Sequence, residues 1–182
     1  MTTYQPEIGR SGQKRVLIVD DIEDNRILLD RGLKSCGYAT ETCESGREAL
    51  SIISQKVPDI VLLDWMMPDL SGMDTLVAIR ELYDSARLPV IMCTAMDEEM
   101  SVVAAINAGA TDYMVKPISL PILRARMKVH LEQRALVDTL DTQKMLAEQR
   151  LTDRTRAMFD QIPKRGQSST PMVARDGRFG RE

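Results

Sequence analysis

The chain has 182 residues, 43% hydrophobic and 28% charged, which suffices for one well-packed core with an appendage but not for two full domains. Its net charge of −3 argues against nucleic acid as the main partner, because proteins that bind nucleic acid favour a basic surface. The start of the chain is polar, and no apolar run reaches membrane-spanning length. The three cysteines, Cys36, Cys43 and Cys93, have no metal-like spacing, and we expect all three to be buried or half-buried fillers. These features predict a cytoplasmic protein with no membrane partner.

After a polar segment, residues 1–13, which predicts a disordered lead-in, short apolar runs alternate with helical patterns. The apolar runs predict five strands, at residues 16–19, 38–43, 60–64, 89–93 and 113–115. A helical pattern follows each run, beginning near residues 24, 45, 71, 97 and 119. Ser45 and Glu48 form a capping-box pattern, and Gly37 and Gly109 end two of the helices. Five βα units with short connections predict a doubly wound, flavodoxin-like α/β fold whose parallel sheet has the strand order 2-1-3-4-5.

Polar residues stand at the carboxyl ends of four of these strands, which lie at one edge of such a sheet, where ligands bind. They are Asp20 and Asp21 after the first strand, Asp64 after the third, Thr94 and Ala95 after the fourth, and Lys116 after the fifth. Each has a structural alternative. Asp20 and Asp21 also suit a helix N-terminal cap, and Asp64 suits the start of a turn next to Pro68 and Gly72. Thr94 also suits a strand, and Lys116 suits a solvated surface.

Taken together, these residues suggest a specific chemistry. Three converging carboxylates repel one another unless a hard divalent cation neutralises them, and oxygen ligands in this number suit Mg²⁺. Lys116 adds a positive charge and Thr94 adds a hydroxyl group. A cation, an ammonium and a hydroxyl around one carboxylate can hold a phosphoryl group on that carboxylate, because neutralising and positioning charge is most of what phosphoryl transfer requires.

Four segments together resemble the response-regulator receiver domain of two-component signalling: VLIVDD (16–21), DIVLLDWMMPDLSG (59–72), PVIMCTA (89–95) and GATDYMVKPI (109–118). The resemblance covers roughly residues 14–130. It implies that Asp64 is the phosphoacceptor, with a histidine kinase or a histidine phosphotransfer protein as the donor. It further implies a Mg²⁺ site made by Asp64, by Asp21 as a direct ligand, by Asp20 partly through water, and by the backbone carbonyl of Met66.

The same resemblance assigns roles around the phosphoryl group. The Thr94 hydroxyl, the Ala95 N–H and the Lys116 ammonium are implied to contact it. Tyr113 matches the aromatic residue that turns inward when Thr94 is drawn to the phosphate. Lys116-Pro117 matches the family's cis peptide bond, which only an X–Pro bond adopts at low cost.

One enzyme class offers a competing interpretation, the aspartyl-phosphate hydrolases of the haloacid dehalogenase type. They too place an Asp nucleophile at a strand end beside Mg²⁺ and a Lys. That family has a second Asp two residues after the nucleophile, where this chain has Met66. We therefore favour the receiver over the hydrolase.

From Ser119 no residue breaks the helical pattern before Pro163, so the final helix should be roughly 60 Å long at about 1.5 Å per residue, more than a compact receiver can cover. We therefore expect a receiver over residues 14–130, a helical extension over 131–162, and a disordered tail over 163–182. Residues at alternating spacings of three and four predict a coiled-coil seam in the extension: Val137, Leu140, Lys144, Ala147, Leu151, Arg154 and Met158. A solvated, partly frayed helix is the alternative, and His130 is expected to be a surface residue.

The sequence thus predicts a phosphorylation-controlled switch that promotes only its own phosphorylation and dephosphorylation, with no separate output enzyme. Its output would be protein binding or homodimerisation through the C-terminal helix. The alternative is the input half of a larger regulator, such as a diguanylate cyclase or a phosphatase regulator. The resemblance further implies that the side chains of Met66 and Met96, two residues beyond Asp64 and Thr94, flank the path by which water approaches the phosphoryl group. Two thioethers cannot hold that water by hydrogen bonds, which predicts a long-lived phospho-Asp64.

Overall fold

The computed structural model describes residues 12–95 and 99–160, the side chains of 99–101 and 157–160 excepted. The described strands are β1 (Arg15–Val19), β2 (Ala39–Cys43), β3 (Ile60–Asp64), β4 (Val90–Thr94) and β5 (Asp112–Val115). The described helices are α1 (Glu23–Lys34), α2 (Gly46–Gln55), α3 (Gly72–Leu82), α4 (Glu99–Asn107) and α5 (Leu120–Asp160). The predicted tail, nearly all of the lead-in, and Met96 lie outside these residues.

The five strands form one parallel sheet in the order β2-β1-β3-β4-β5, which confirms the predicted topology. Every residue of β3 and β4 is buried, as continuous apolar runs predict for central strands covered on both faces. β2 lies at an edge and leaves Glu41 and Thr42 exposed, in keeping with its polar sequence. The long final helix is also confirmed, since α5 spans 41 residues.

Helices cover both faces of the sheet, and alternation along each strand divides the core in two. In β1, Leu17 and Val19 join the cluster beneath α2, α3 and α4, while Val16 and Ile18 join the cluster beneath α1 and α5. Cys43 and Cys93 are buried and Cys36 is half-buried, so all three thiols are fillers as expected. Burial raises the pKa of both Cys43 and Cys93 to about 12.

Two serines begin helices as the sequence indicates. The Ser45 hydroxyl accepts from the Glu48 N–H at 3.3 Å, and the Ser71 hydroxyl accepts from the Asp74 N–H at 3.1 Å. The reciprocal half of the predicted capping box differs, because the Glu48 carboxylate accepts from the N–H of Glu44, one residue before the cap, at 3.2 Å.

The chain divides into two structural units, Met1–Gln143 and Lys144–Glu182. In the first unit, α5 contacts the body well beyond residue 130. The Arg134 guanidinium donates to the Pro58 carbonyl at 2.7 Å, and Asp141 pairs with Arg87 at 2.7 Å. The predicted boundary at residue 130, between the receiver and the helical extension, stays a prediction. The contacts of Arg134 and Asp141 favour a boundary later in the helix.

The described part of the second unit is helical, and its side chains from Lys144 to Arg156 are exposed. None of the helices in the described ranges combines the length and apolarity that a bilayer crossing requires.

Candidate functional site

The predicted site residues meet at the carboxyl edge of the sheet. Asp20 follows β1, Asp64 ends β3, and Lys116 follows β5, so parallel strands bring three distant segments together. The Lys116 ammonium bridges the two carboxylates, with Nζ 2.8 Å from Asp20 Oδ2 and 3.0 Å from Asp64 Oδ1. Both carboxylates are more than nine-tenths buried. This arrangement matches the convergence that the sequence predicts.

The acidic group has the composition of a divalent cation site. Carboxylate oxygens of Asp20, Asp21 and Asp64 lie within 4.8 Å of one another. Asp64 and Asp20 are buried and Asp21 is exposed, so the group opens to solvent on the side of Asp21. All three offer hard oxygen ligands, which fit Mg²⁺.

Asp64 lies in an unfavourable environment for a carboxylate. Burial is the largest cause of its raised pKa, and the negative charge of Asp20 adds to it. The hydrogen bond from Lys116 and the backbone N–H of Met66 oppose this rise without cancelling it. Charge neutralisation by a cation would therefore relieve a strained electrostatic arrangement.

The same surroundings that disfavour the charged form of Asp64 favour the charged form of Lys116. Burial alone would lower its pKa, but the hydrogen bonds to Asp20 and Asp64 outweigh burial and raise it. Lys116 therefore remains an ammonium at neutral pH, and it serves as a fixed positive charge between the two carboxylates.

Asp20 is held by four hydrogen bonds. Its Oδ1 accepts from the Ile22 N–H at 2.9 Å and from the Asn25 amide at 3.1 Å. Its Oδ2 accepts from Asn25 at 3.1 Å and from Lys116 at 2.8 Å. With two hydrogen bonds on each oxygen, Asp20 has little capacity left for direct contact with a cation. This is compatible with the role through water that the resemblance implies for Asp20. Sequence reasoning missed Asn25, whose only signal is an amide in the first turn of α1.

Thr94 ends β4 one residue later than the predicted strand, and it is 2% exposed. Its carbonyl accepts from the Lys116 N–H at 2.7 Å, which ties the β5 end to the β4 end. Ala95 is exposed at the same edge. Tyr113 is half-buried and packs against the core cluster beneath α2, α3 and α4. The switch role of Thr94 and Tyr113 stays a prediction.

Gly72 allows α3 to begin directly against the phosphoacceptor candidate. A Cβ at this position would lie 2.1 Å from the carbonyl oxygen of Asp64 and 2.9 Å from the Trp65 Cα. The Gly72 N–H donates to the Trp65 carbonyl at 3.0 Å. Sequence reasoning identified Gly72 only as part of a turn, because a close approach of two backbones leaves no pattern in the sequence.

Two further expectations can be compared with the structure. The Lys116-Pro117 peptide bond is cis, as the resemblance implies. His130 is not a surface residue: its side chain is 14% exposed, and its Nε2 lies 3.1 Å from Asp112 Oδ2. The expectation was wrong because α5 turns this position toward β5.

Comparisons with known proteins agree with this geometry. The family model described as "Response regulator receiver domain" matches residues 16–128. The phosphate regulon transcriptional regulatory protein PhoB of Rhizobium meliloti (strain 1021) is 38% identical over 128 residues, which are 70% of this chain and 56% of that protein. Response regulator MprA of Mycolicibacterium vanbaalenii is 42% identical over 119 residues, 65% of this chain and 51% of that protein. The chain thus spans about half the length of the curated relatives it matches.

Solved structures are similar over the same part. The signal receiver domain of a putative Luxo repressor protein from Vibrio parahaemolyticus has a TM-score of 0.66 at 32% identity and covers 70% of this chain and 97% of its own. A CheY-like receiver domain protein from Methanospirillum hungatei JF-1 has a TM-score of 0.64 at 28% identity, covering 68% and 98%.

Proposed function

We propose that this chain, which belongs to the response-regulator receiver family, is a phosphorylation-controlled switch that accepts a phosphoryl group on Asp64. The donor would be a histidine kinase or a histidine phosphotransfer protein. The observation that carries the proposal is the buried Asp64 carboxylate at the end of β3, bridged by Lys116 to Asp20. The only catalysis we assign to the chain is of its own phosphorylation and dephosphorylation.

The residues at the sheet edge suit the transfer step. An oxygen of Asp64 would form the new bond to phosphorus while the bond from phosphorus to the donor nitrogen breaks. Lys116 would follow the phosphoryl oxygens, because its ammonium already lies 3.0 Å from Asp64. The Thr94 hydroxyl and the Ala95 N–H, at the end of β4, would donate to the remaining oxygens, and Tyr113 would follow Thr94 inward.

We propose Mg²⁺ as the cofactor. Asp21 and Asp64 would bind it directly, Asp20 through water, and the Met66 carbonyl would complete the protein ligands. When bound, the cation would supply positive charge against the phosphoryl oxygens. Support comes from the cluster of three carboxylates and from the raised pKa of Asp64, which burial and Asp20 cause.

The test combines metal binding with phosphorylation. Trp65 directly follows Asp64, so millimolar Mg²⁺ should change its fluorescence, and acetyl phosphate should add one phosphoryl group measurable by intact mass. Asp64→Asn should abolish the modification, and Asp21→Asn should remove most of the Mg²⁺ response. Asp69→Asn is the matched control, since Asp69 is exposed in the same loop and Asn tolerates its positive φ of 72°. Undiminished responses in both site variants would contradict the proposal.

The output is proposed to be protein binding or homodimerisation through α5. Two leucines of the predicted seam are exposed, Leu140 of the first unit at 63% and Leu151 of the second at 65%. Exposed apolar side chains on a helix are what a coiled-coil partner would cover. Val137, which the predicted seam includes, is half-buried.

Sedimentation should detect this dimer. Leu140→Lys with Leu151→Lys should convert it to monomer, whereas Thr139→Lys with Gln149→Lys adds the same charge at exposed positions outside the predicted seam and should leave it intact. A monomer at all concentrations, with and without beryllofluoride, would exclude the seam.

A second candidate output follows from the relatives. The printed name of the Rhizobium meliloti protein describes transcriptional regulation, and about half of its length lies outside the match. This chain could therefore be the receiver of a longer regulator, with a DNA-binding, diguanylate cyclase or phosphatase-regulating part. Our expectation of no nucleic-acid partner concerns this chain of 182 residues, and a mobility-shift assay with the chain tests it.

A further inference from the structure

Among the described residues, Asp21 has no side-chain partner that holds it in place. Its carboxylate is exposed and, among the described residues, takes part in no hydrogen bond or ion pair, in contrast to the four bonds on Asp20. The position of the Asp21 carboxylate therefore depends on its backbone. That backbone lies in the short link between the end of β1 at Val19 and the start of α1 at Glu23.

The link is held by Arg26. One guanidinium nitrogen, Nη1, donates to the Asp20 carbonyl at 2.6 Å and to the Asp21 carbonyl at 3.0 Å. The Arg26 side chain is 16% exposed, and its Nη2 lies 4.0 Å from the exposed Glu44. The bond to the Asp20 carbonyl is half-buried and the bond to the Asp21 carbonyl is exposed. Hydrogen bonds from a charged donor are stronger than neutral ones, and two of them on consecutive carbonyls restrict the orientation of the peptide between.

Within the part of the chain that the structure describes, no side-chain cap at the start of α1 replaces these bonds. The N-cap residue Ile22 has no side chain that can accept a hydrogen bond, and the helix makes no side-chain cap. The Ile22 N–H instead bonds to Asp20 Oδ1. The link is thus tied from one side by Asp20 and from the other by Arg26.

We infer that Arg26 is a positioning residue for the divalent cation site, acting through the backbone of Asp20 and Asp21. This rests on the proposed function, because it assumes that the acidic group binds Mg²⁺. Arg26 would touch neither the cation nor the phosphoryl group. It would hold Asp21 in the geometry in which its carboxylate meets Asp64, as outer partners of metal ligands do.

The inference has an electrostatic rival that predicts the opposite sign. Arg26 carries a positive charge near a site for a dication, so if charge alone mattered, removing it would strengthen Mg²⁺ binding. If positioning dominates, removing the two donors weakens Mg²⁺ binding even though the repulsion is lost. A purely structural role would lower the free energy of unfolding and leave the affinity of the folded protein unchanged.

The experiment measures the Mg²⁺ dissociation constant of the full chain by calorimetry, with Trp65 fluorescence as a second readout, and the unfolding of the metal-free protein in urea. Arg26→Met, which keeps the aliphatic stem and removes donors and charge, should weaken Mg²⁺ binding about tenfold, the low end for outer partners of metal ligands. Arg26→Gln removes the charge but keeps an amide donor, and it should fall between wild type and Arg26→Met. Arg31→Met removes the same charge at an exposed position of α1 and should bind like wild type.

The outcomes separate the inference from the proposed function. Wild type without measurable Mg²⁺ binding overturns both. Wild-type binding with equal or tighter binding by Arg26→Met overturns the positioning role and leaves the proposed function standing. Should Arg26→Met fail to fold, Arg26→Gln decides by the same criterion, since weaker binding supports the inference and equal or tighter binding refutes it.

Discussion

Replacing Arg134 by Met should destabilise the protein severely while leaving the site at the opposite edge of the sheet intact. Arg134 is 6% exposed, and its Nη1 lies 2.7 Å from the Pro58 carbonyl and 3.3 Å from Asp59 Oδ1. Asp59, 3% exposed, also accepts from the Arg15 N–H at 2.8 Å. Methionine keeps the buried stem but supplies no charge and no donor.

The magnitude follows from these contacts. Removing one partner of a buried ion pair costs about 3–5 kcal/mol, because the remaining charge stays desolvated. Lys14, 4.0 Å from Asp59 and 43% exposed, can recover part of that cost, whereas the orphaned Pro58 carbonyl adds to it. We therefore expect a loss of about 4 kcal/mol, a large fraction of the 5–15 kcal/mol typical of a domain.

Urea unfolding of the metal-free protein measures this loss. Adding Asp59→Asn to Arg134→Met should recover stability, because most of the penalty arises from the buried Asp59 carboxylate that has lost its guanidinium partner. Lys128→Met on the same helix is the control: Lys128 is 74% exposed and 3.8 Å from Glu132, so its removal should cost less than about 1 kcal/mol. The reasoning fails if Arg134→Met costs no more than this control.

Three further changes test other parts of the structure. Gly72→Ala places a Cβ 2.1 Å from the Asp64 carbonyl oxygen, so it should cost about 1–3 kcal/mol in urea unfolding and slow phosphorylation by acetyl phosphate, and wild-type values for both would contradict the close approach. Burial raises the pKa of Asp112, but hydrogen bonds, chiefly from Arg126, outweigh burial and lower the pKa. The ionised Asp112 therefore stabilises wild type at pH values above its unfolded-state pKa, and this stability is lost as the pH falls through its folded-state pKa. Asp112→Asn should therefore be about 1–3 kcal/mol less stable than wild type at pH 7, and a difference that persists undiminished in acid would refute this account. Met66→Asn should shorten the lifetime of phospho-Asp64 after the donor is removed, since the exposed thioether cannot hold an attacking water and an amide can, and an unchanged or longer lifetime would exclude that explanation.

The fold could be predicted because its signals are local. The run from Ile60 to Leu63 has no polar residue, so it had to be a central strand, and the glycines after α1 and α4 adopt the positive φ of helix ends. The site residues could be predicted for a related reason. A carboxylate at the end of an apolar strand has few structural uses, and several at one edge point to a shared ligand.

Residues that act across the fold could not be predicted. Arg26 and Arg134 lie in helices rich in charge, where the sequence gives no sign that one guanidinium turns inward to carbonyl groups. His130 was misassigned for the same reason, because its partner Asp112 is 18 residues away. Only the packed structure shows which charged side chains of a helix are buried.

The burial of two of the three thiols has a practical consequence for spectroscopy. Cys43 and Cys93 are buried and their pKa values are about 12, so neither forms the thiolate that reacts with a maleimide. Cys36, just after α1, is half-buried and reaches solvent. A maleimide spin label should therefore attach at Cys36 alone, one label per chain. Two associated chains would then give a single distance between labels, which reports how the two copies meet.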